Sequence, residues 1–170
     1  MTMLKIKSPY KYEEFKRTSV DGKRLYENPW GDPVPSVTTI LSATQSAEKR
    51  AGLAKWKKRV GDAEAQRIVT EASNVGSVMH NILEKWFKNE EYNPGNNMVH
   101  KQAKGMAQVV IDNVEPDIEE VWGSEVNLVA KDLYAGTTDL VGMYKGRPTI
   151  MDFKQTNKPK KREWIDDYFL

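Results

Sequence analysis

Cysteine is absent from the 170-residue chain, which excludes disulfides, thiolate metal sites and a cysteine nucleophile, and fits a reducing compartment. Net charge is nearly absent too. With 26 Lys and Arg against 24 Asp and Glu, any attraction to a polyanion has to come from local clusters. No apolar run approaches the roughly 18 residues of a membrane span, and the N-terminus lacks a signal-type apolar core, so the expectation is an intracellular, cytoplasmic protein with no membrane partner. Internal repeats and low-complexity tracts are missing as well. The length fits a single domain over residues 1–170.

What is present divides into helical and strand-like halves. Residues 1–35 read as an N-terminal ribbon and loop, with a hairpin turn at Asp21-Gly22. Residues 36–116 read as helical. Ser36 can cap "VTTILSAT", and Ser46 can cap "AEKRAGLAKWKKRVG", where Leu53, Trp56 and Val60 recur at helical spacing and place Trp56 in a core. Asp62 opens a pattern reaching about Lys88, with a candidate joint at Asn74 to Gly76 and an apolar stripe of Val78, Ile82, Leu83, Trp86 and Phe87. Residues 98–114 form another helix carrying Met106, Val109, Val110 and Val114, closed by Pro116. Residues 120–170 switch to strand period in "VWGSEVNLVA", "AGTTDLVGMYK" and "RPTIMDFKQT", and "KREWIDDYFL" begins a final helix. Helices followed by an antiparallel meander make an α+β domain.

The meander carries unusual charges. If Lys145-Gly146 is a two-residue turn, Tyr144 faces Arg147 and, counting outward, Asp139 faces Asp152. Alternation sends Lys154 to the same face, together with Val141, Met143 and Ile150, so two carboxylates end an apolar face. Opposed strand residues have Cβ atoms about 4.5–5.5 Å apart, and like charges there repel. Lys154 offers one compensating charge; a divalent cation such as Mg²⁺ or Mn²⁺ would neutralise both. A cross-hairpin Asp/Lys salt bridge with the second aspartate solvated is the plainer alternative. Glu125 on the preceding strand, and His80 with Glu84 one turn apart on a helix, add further donors.

Basic clusters are local. Lys158, Lys160, Lys161 and Arg162 follow the meander, and Lys55 to Arg59 interleave Lys57 and Lys58 with Trp56. Either can hold a phosphate backbone beside a stacking aromatic, or be a solvated charged face. Ser36 and Thr38 at a helix start are additional phosphate contacts, with capping as the alternative for Ser36.

The series "GSVMHNILE" (76–84), "GSEVNL" (123–128), "GTTDLVGMYKG" (136–146) and "IMDFKQTNKPK" (150–160) resembles the PD-(D/E)XK nuclease superfamily in its RecB-like branch. Within it, the likeness is to the mitochondrial genome maintenance exonuclease family and its phage and bacterial relatives, and it extends to "VPSVTTIL" and "AKWKKR". The resemblance implies a restriction-endonuclease-like α/β/α core and a Mg²⁺- or Mn²⁺-dependent deoxyribonuclease acting on single-stranded DNA, ends or flaps. By position, Asp139, Asp152 and Lys154 match the catalytic residues. His80, Asp139, Asp152, the Phe153 carbonyl, Glu84 and Glu125 match metal-binding positions. Gln155 and Thr156, next to the lysine, join the DNA-facing set. Family members continue with a Gln-x-x-x-Tyr helix, and this chain ends at Leu170 where that helix would start, so a second chain completing the core is a candidate partner. The compact size fits a phage or bacterial source.

Overall fold

The computed structural model describes residues 4–156 and 161. The expected final helix over residues 161–170 therefore lies, apart from Lys161, outside the described residues, as do Lys158, Lys160 and Arg162. The order of elements is β1 (Arg17–Val20), β2 (Lys23–Tyr26), β3 (Val34–Pro35), α1 (Val37–Ala43), α2 (Ala47–Val60), α3 (Asp62–Phe87), α4 (Met98–Asn113), β4 (Ile118–Ala130), β5 (Tyr134–Tyr144) and β6 (Arg147–Met151). Strands β1-β2-β3 make one antiparallel sheet and β4-β5-β6 another. The fold is α+β, as the sequence pattern implies. Among the described residues no helix is long and apolar enough to cross a membrane.

Both expected hairpin turns form. Asp21 and Gly22 have φ of 50° and 72°, and Lys145 and Gly146 also have φ of 50° and 72°, the double positive φ of a primed two-residue turn. Lysine is a poor residue for that conformation, so the second turn draws on its surroundings. The Gly146 N–H donates to Glu119 Oε1 at 2.7 Å, Lys145 N–H donates to the Asp117 carbonyl at 3.0 Å, and Lys145 Nζ pairs with Asp117 Oδ2 at 3.0 Å. The resulting register pairs Tyr144 with Arg147 and Leu140 with Met151 without a bulge.

The main core lies between α3, α4 and one face of the β4-β5-β6 sheet. Val75, Met79, Leu83 and Phe87 of α3 recur every four residues and pack with Ala103, Ala107 and Ile111 of α4 and with Ile118, Val121, Leu140 and Phe153. Burying a Leu or Phe here stabilises by about 1.5–3 kcal/mol each. Most of the expected stripes belong to this seam: Leu83 and Phe87 are buried, Val78, Ile82 and Trp86 pack against it half-buried, and on α4 Met106, Val110 and Val114 flank the buried Ala103 and Ala107, whose lack of bulk lets α3 approach; Val109 alone of the expected set is turned out, at 62% exposed. The candidate joint at Asn74 to Gly76 does not form, because α3 runs unbroken for 26 residues.

Two further expectations change. α2 buries none of its residues; Leu53 is 47% exposed and Trp56 only half-buried, so Trp56 is not a core residue. Val141 and Ile150 are not on the core face either. They line an open groove with Tyr10, Tyr12, Trp30 and Leu128, and Ile150 is 63% exposed, because α3 and α4 cover the alternate side bearing Leu140. β4 begins at Ile118 and carries register shifts before Glu120 and before Gly123. Each extra residue reverses the in-out alternation, so its buried positions fall at Ile118, Val121, Ser124 and Val126 instead of every second residue. Within the segment read as an N-terminal ribbon and loop, Ile6 makes a parallel bridge to Val121 at the edge of β4. Lys5 and Lys7 reach Glu120 there, at 3.1 and 3.5 Å.

Candidate metal centre

Three elements converge on one small volume. His80 is on α3, a residue past the buried Met79, so its ring lies at the margin of the core and is 27% exposed. Asp139 is on β5 immediately before the fully buried Leu140. Glu125 is on β4 and has φ of 53°, a left-handed conformation inside a strand. A β-branched or bulky residue resists that conformation, and a non-glycine residue there carries about 1–3 kcal/mol of strain. The break in the pleat stands beside the pairing of Ser124 with Leu140 and of Val126 with Thr138.

His80 Nδ1 lies 3.1 Å from Asp139 Oδ1 and 3.8 Å from Glu125 Oε1. One ligand atom from each of the three residues lies within 4.8 Å of the others, the group among the described residues with metal-ligand geometry. The second Asp139 oxygen is fixed separately: it accepts the Phe153 N–H at 2.5 Å. The Ser124 hydroxyl donates to the Asp139 carbonyl at 3.2 Å, tying β4 to β5 at the same point.

The electrostatics follow from this packing. The Asp139 and then the Glu125 carboxylates push the His80 imidazole up to about 9, against the opposing effects of burial and the Lys154 ammonium. At neutral pH the ring is therefore a cation bridging two carboxylates. A divalent ion binding here would have to displace that proton. The donor set of one imidazole nitrogen and two carboxylate oxygens suits a divalent cation.

Asp152 and Lys154 are adjacent to this group but outside it. Beyond Met151 the ladder ends, and Asp152 Oδ1 pairs with Lys154 Nζ at 2.6 Å, their side chains 46% and 42% exposed. Asp152 thus pairs with Lys154 along its own segment and not across the hairpin, while Asp139 is largely buried and faces His80. Phe153 between them turns inward, its ring stacked on Phe87 at 5.7 Å. Glu84 does not join the group, because its carboxylate is held by Lys88 one turn further along α3, at 2.5 Å. Sequence placed Glu84 beside His80 by helical spacing, but it pairs with Lys88 at the C-cap of the helix.

The expected DNA contacts are scattered. Ser36 is 2% exposed and its Oγ caps α1 by accepting the Thr39 N–H at 3.1 Å, so the capping alternative holds for it. Thr38 is exposed, with its hydroxyl 2.9 Å from Ser36 Oγ. Lys57 and Lys58 lie in the exposed last turn of α2, where positive charge also complements the helix dipole. Thr156 and Lys161 are exposed. Gln155 faces inward, donating from Nε2 to the Ala72 carbonyl at 2.7 Å.

No protein-family model matches the chain. Over 132 residues, 75% of its length, it is 30% identical to mitochondrial genome maintenance exonuclease 1 of Mus musculus, and the match spans 38% of the mouse protein. The likeness indicates a relationship to nucleases.

Proposed function

We propose that the chain is a divalent-metal-dependent deoxyribonuclease of PD-(D/E)XK, RecB-like type, a single nuclease domain acting as an exonuclease on single strands or DNA ends. The convergence of His80, Glu125 and Asp139 from three separate elements, with Asp152 and Lys154 at the end of the neighbouring strand, carries this reading. Likeness to a mouse exonuclease supports it.

His80, Glu125 and Asp139 would hold Mg²⁺ or Mn²⁺, with Asp152 and the Phe153 carbonyl as additional ligands. When bound, the cation lowers the pKa of water and polarises a phosphodiester oxygen. The chain's own groups do the rest. The Phe153 N–H fixes the Asp139 carboxylate, leaving its other oxygen for the ion. Lys154, whose charge is felt at His80, would stabilise the negative charge that builds on the phosphate in the transition state. Exposed Lys57, Lys58, Thr38 and Lys161 would contact the DNA backbone.

Incubation of end-labelled single strands, duplexes and closed circles with Mn²⁺ tests the reading. Degradation of linear DNA with circles resistant is the expected pattern; cut circles would indicate an endonuclease. The ion-paired, outward position of Asp152 favours a second reading, a DNA-binding module that lacks turnover. Retention of labelled strands without cleavage at any Mn²⁺ concentration would establish that one.

A further inference from the structure

Among the described residues the β5-β6 ladder extends to Met151, and residues 152–156 beyond it follow an alternating course. Asp152, Lys154 and Thr156 are exposed, Phe153 is buried and Gln155 half-buried. Two inward side chains therefore bracket Lys154. Phe153 is held by its ring stack on Phe87 and by its N–H bond to Asp139, and Gln155 by its amide bond to α3.

The Gln155 contact is specific in orientation and place. A carbonyl oxygen cannot donate, so the atom 2.7 Å from the Ala72 carbonyl has to be Nε2, which fixes the amide rotation and leaves Oε1 buried with no donor. The side chain lies over Gly76, where an added Cβ would sit 3.7 Å from Gln155 Cδ. Ala72, Gly76 and His80 are successive positions at four-residue spacing, so they share one face of α3. Gln155 thus docks on the same helical face that presents His80, about 12 Å along the axis at 1.5 Å per residue.

We infer that Gln155 is a positioning residue for the candidate centre: it fastens the Lys154 segment to α3 so that the ammonium and Asp152 stay in register with His80 and Asp139. The inference rests on the nuclease reading and assigns Gln155 a different role from the DNA contact that its place next to Lys154 suggests.

The test compares the parent chain with Gln155→Met, which keeps length and loses the donor, and Gln155→Glu, which sets a carboxylate against a carbonyl. Hydrogen exchange of the amides of residues 152–156 in metal-free protein should quicken in both variants while α3 and β5 stay protected. Half-saturation by Mn²⁺, followed through the free-ion resonance, and kcat on end-labelled strands should each worsen by about tenfold for Gln155→Met and more for Gln155→Glu. KM for DNA should stay within about twofold. Unchanged exchange, or a raised KM with kcat intact, overturns the positioning role and returns Gln155 to the DNA-contacting set. A parent that neither binds Mn²⁺ nor cleaves DNA in its presence sinks the nuclease reading and this role with it; an active parent matched by Gln155→Met sinks the role alone.

Discussion

The two halves of the candidate site are built on opposite principles. His80, Glu125 and Asp139 stand on a helix and two paired strands, and the Asp139 side chain is only 11% exposed. Asp152 and Lys154 stand on chain past the last pair of β6, roughly half exposed and neutralising each other. Packing fixes the first group before any ligand arrives, whereas the second is held by the inward side chains on either side of Lys154. The difference separates ion binding from chemistry: the cluster should set affinity for the cation, and the exposed pair should set the rate of cleavage.

Substitutions can break that division. Asp139→Asn should have the largest effect, cutting Mn²⁺ affinity about a hundredfold or more and abolishing cleavage, since one carboxylate serves both His80 and Phe153. Titration of the free Mn²⁺ resonance checks it. Asp152→Ala should abolish cleavage with a smaller loss of Mn²⁺ affinity than Asp139→Asn, and should change unfolding free energy by less than about 1 kcal/mol, because an exposed ion pair contributes little. Equal affinity losses in the two variants would erase the distinction. Glu125→Gly should weaken Mn²⁺ binding by about tenfold while thermal stability holds or rises, because glycine adopts the left-handed φ of 53° without strain. A marked fall in melting temperature would show that Glu125 supports the fold more than the site.

The smallest effect is a pH dependence confined to the rigid half. In metal-free protein the His80 value of about 9 lies above the ordinary 6.5, so its pairing stabilises the fold fully below pH 6.5 and is lost as pH rises through 9. Denaturant unfolding between pH 6 and 10 should show that decline in the parent and a flatter profile in Asp139→Asn. A parent profile already flat would mean that His80 is not held by the two carboxylates.

What the sequence made legible was local. The register of the β5-β6 hairpin follows from a two-residue turn and strict alternation, and His80 follows from its place on a strongly patterned helix. Glu125 was nameable as a third acid, but its left-handed backbone and the two register shifts of β4 arise from pairing with β5 and leave no mark in residue type. Which apolar face of the meander is covered was hidden for a related reason. Val141 and Leu140 are equally apolar, and only the position of α3 and α4 decides which one is buried. Leu53, Trp56 and Val60 show the converse, a helical pattern in a helix that buries nothing. Gln155 looked like a surface contact because nothing in its neighbours reveals the Ala72 carbonyl, 83 residues away.

Metal-dependent cleavage requires a cation shared by His80, Glu125 and Asp139. Titrating metal-stripped protein with Mn²⁺ and following the free-ion resonance in the parent and in His80→Ala tests it directly. Depletion of the free signal by the parent, largely lost in His80→Ala, is the predicted result; a free signal untouched by the parent, or depleted equally by both, would contradict it.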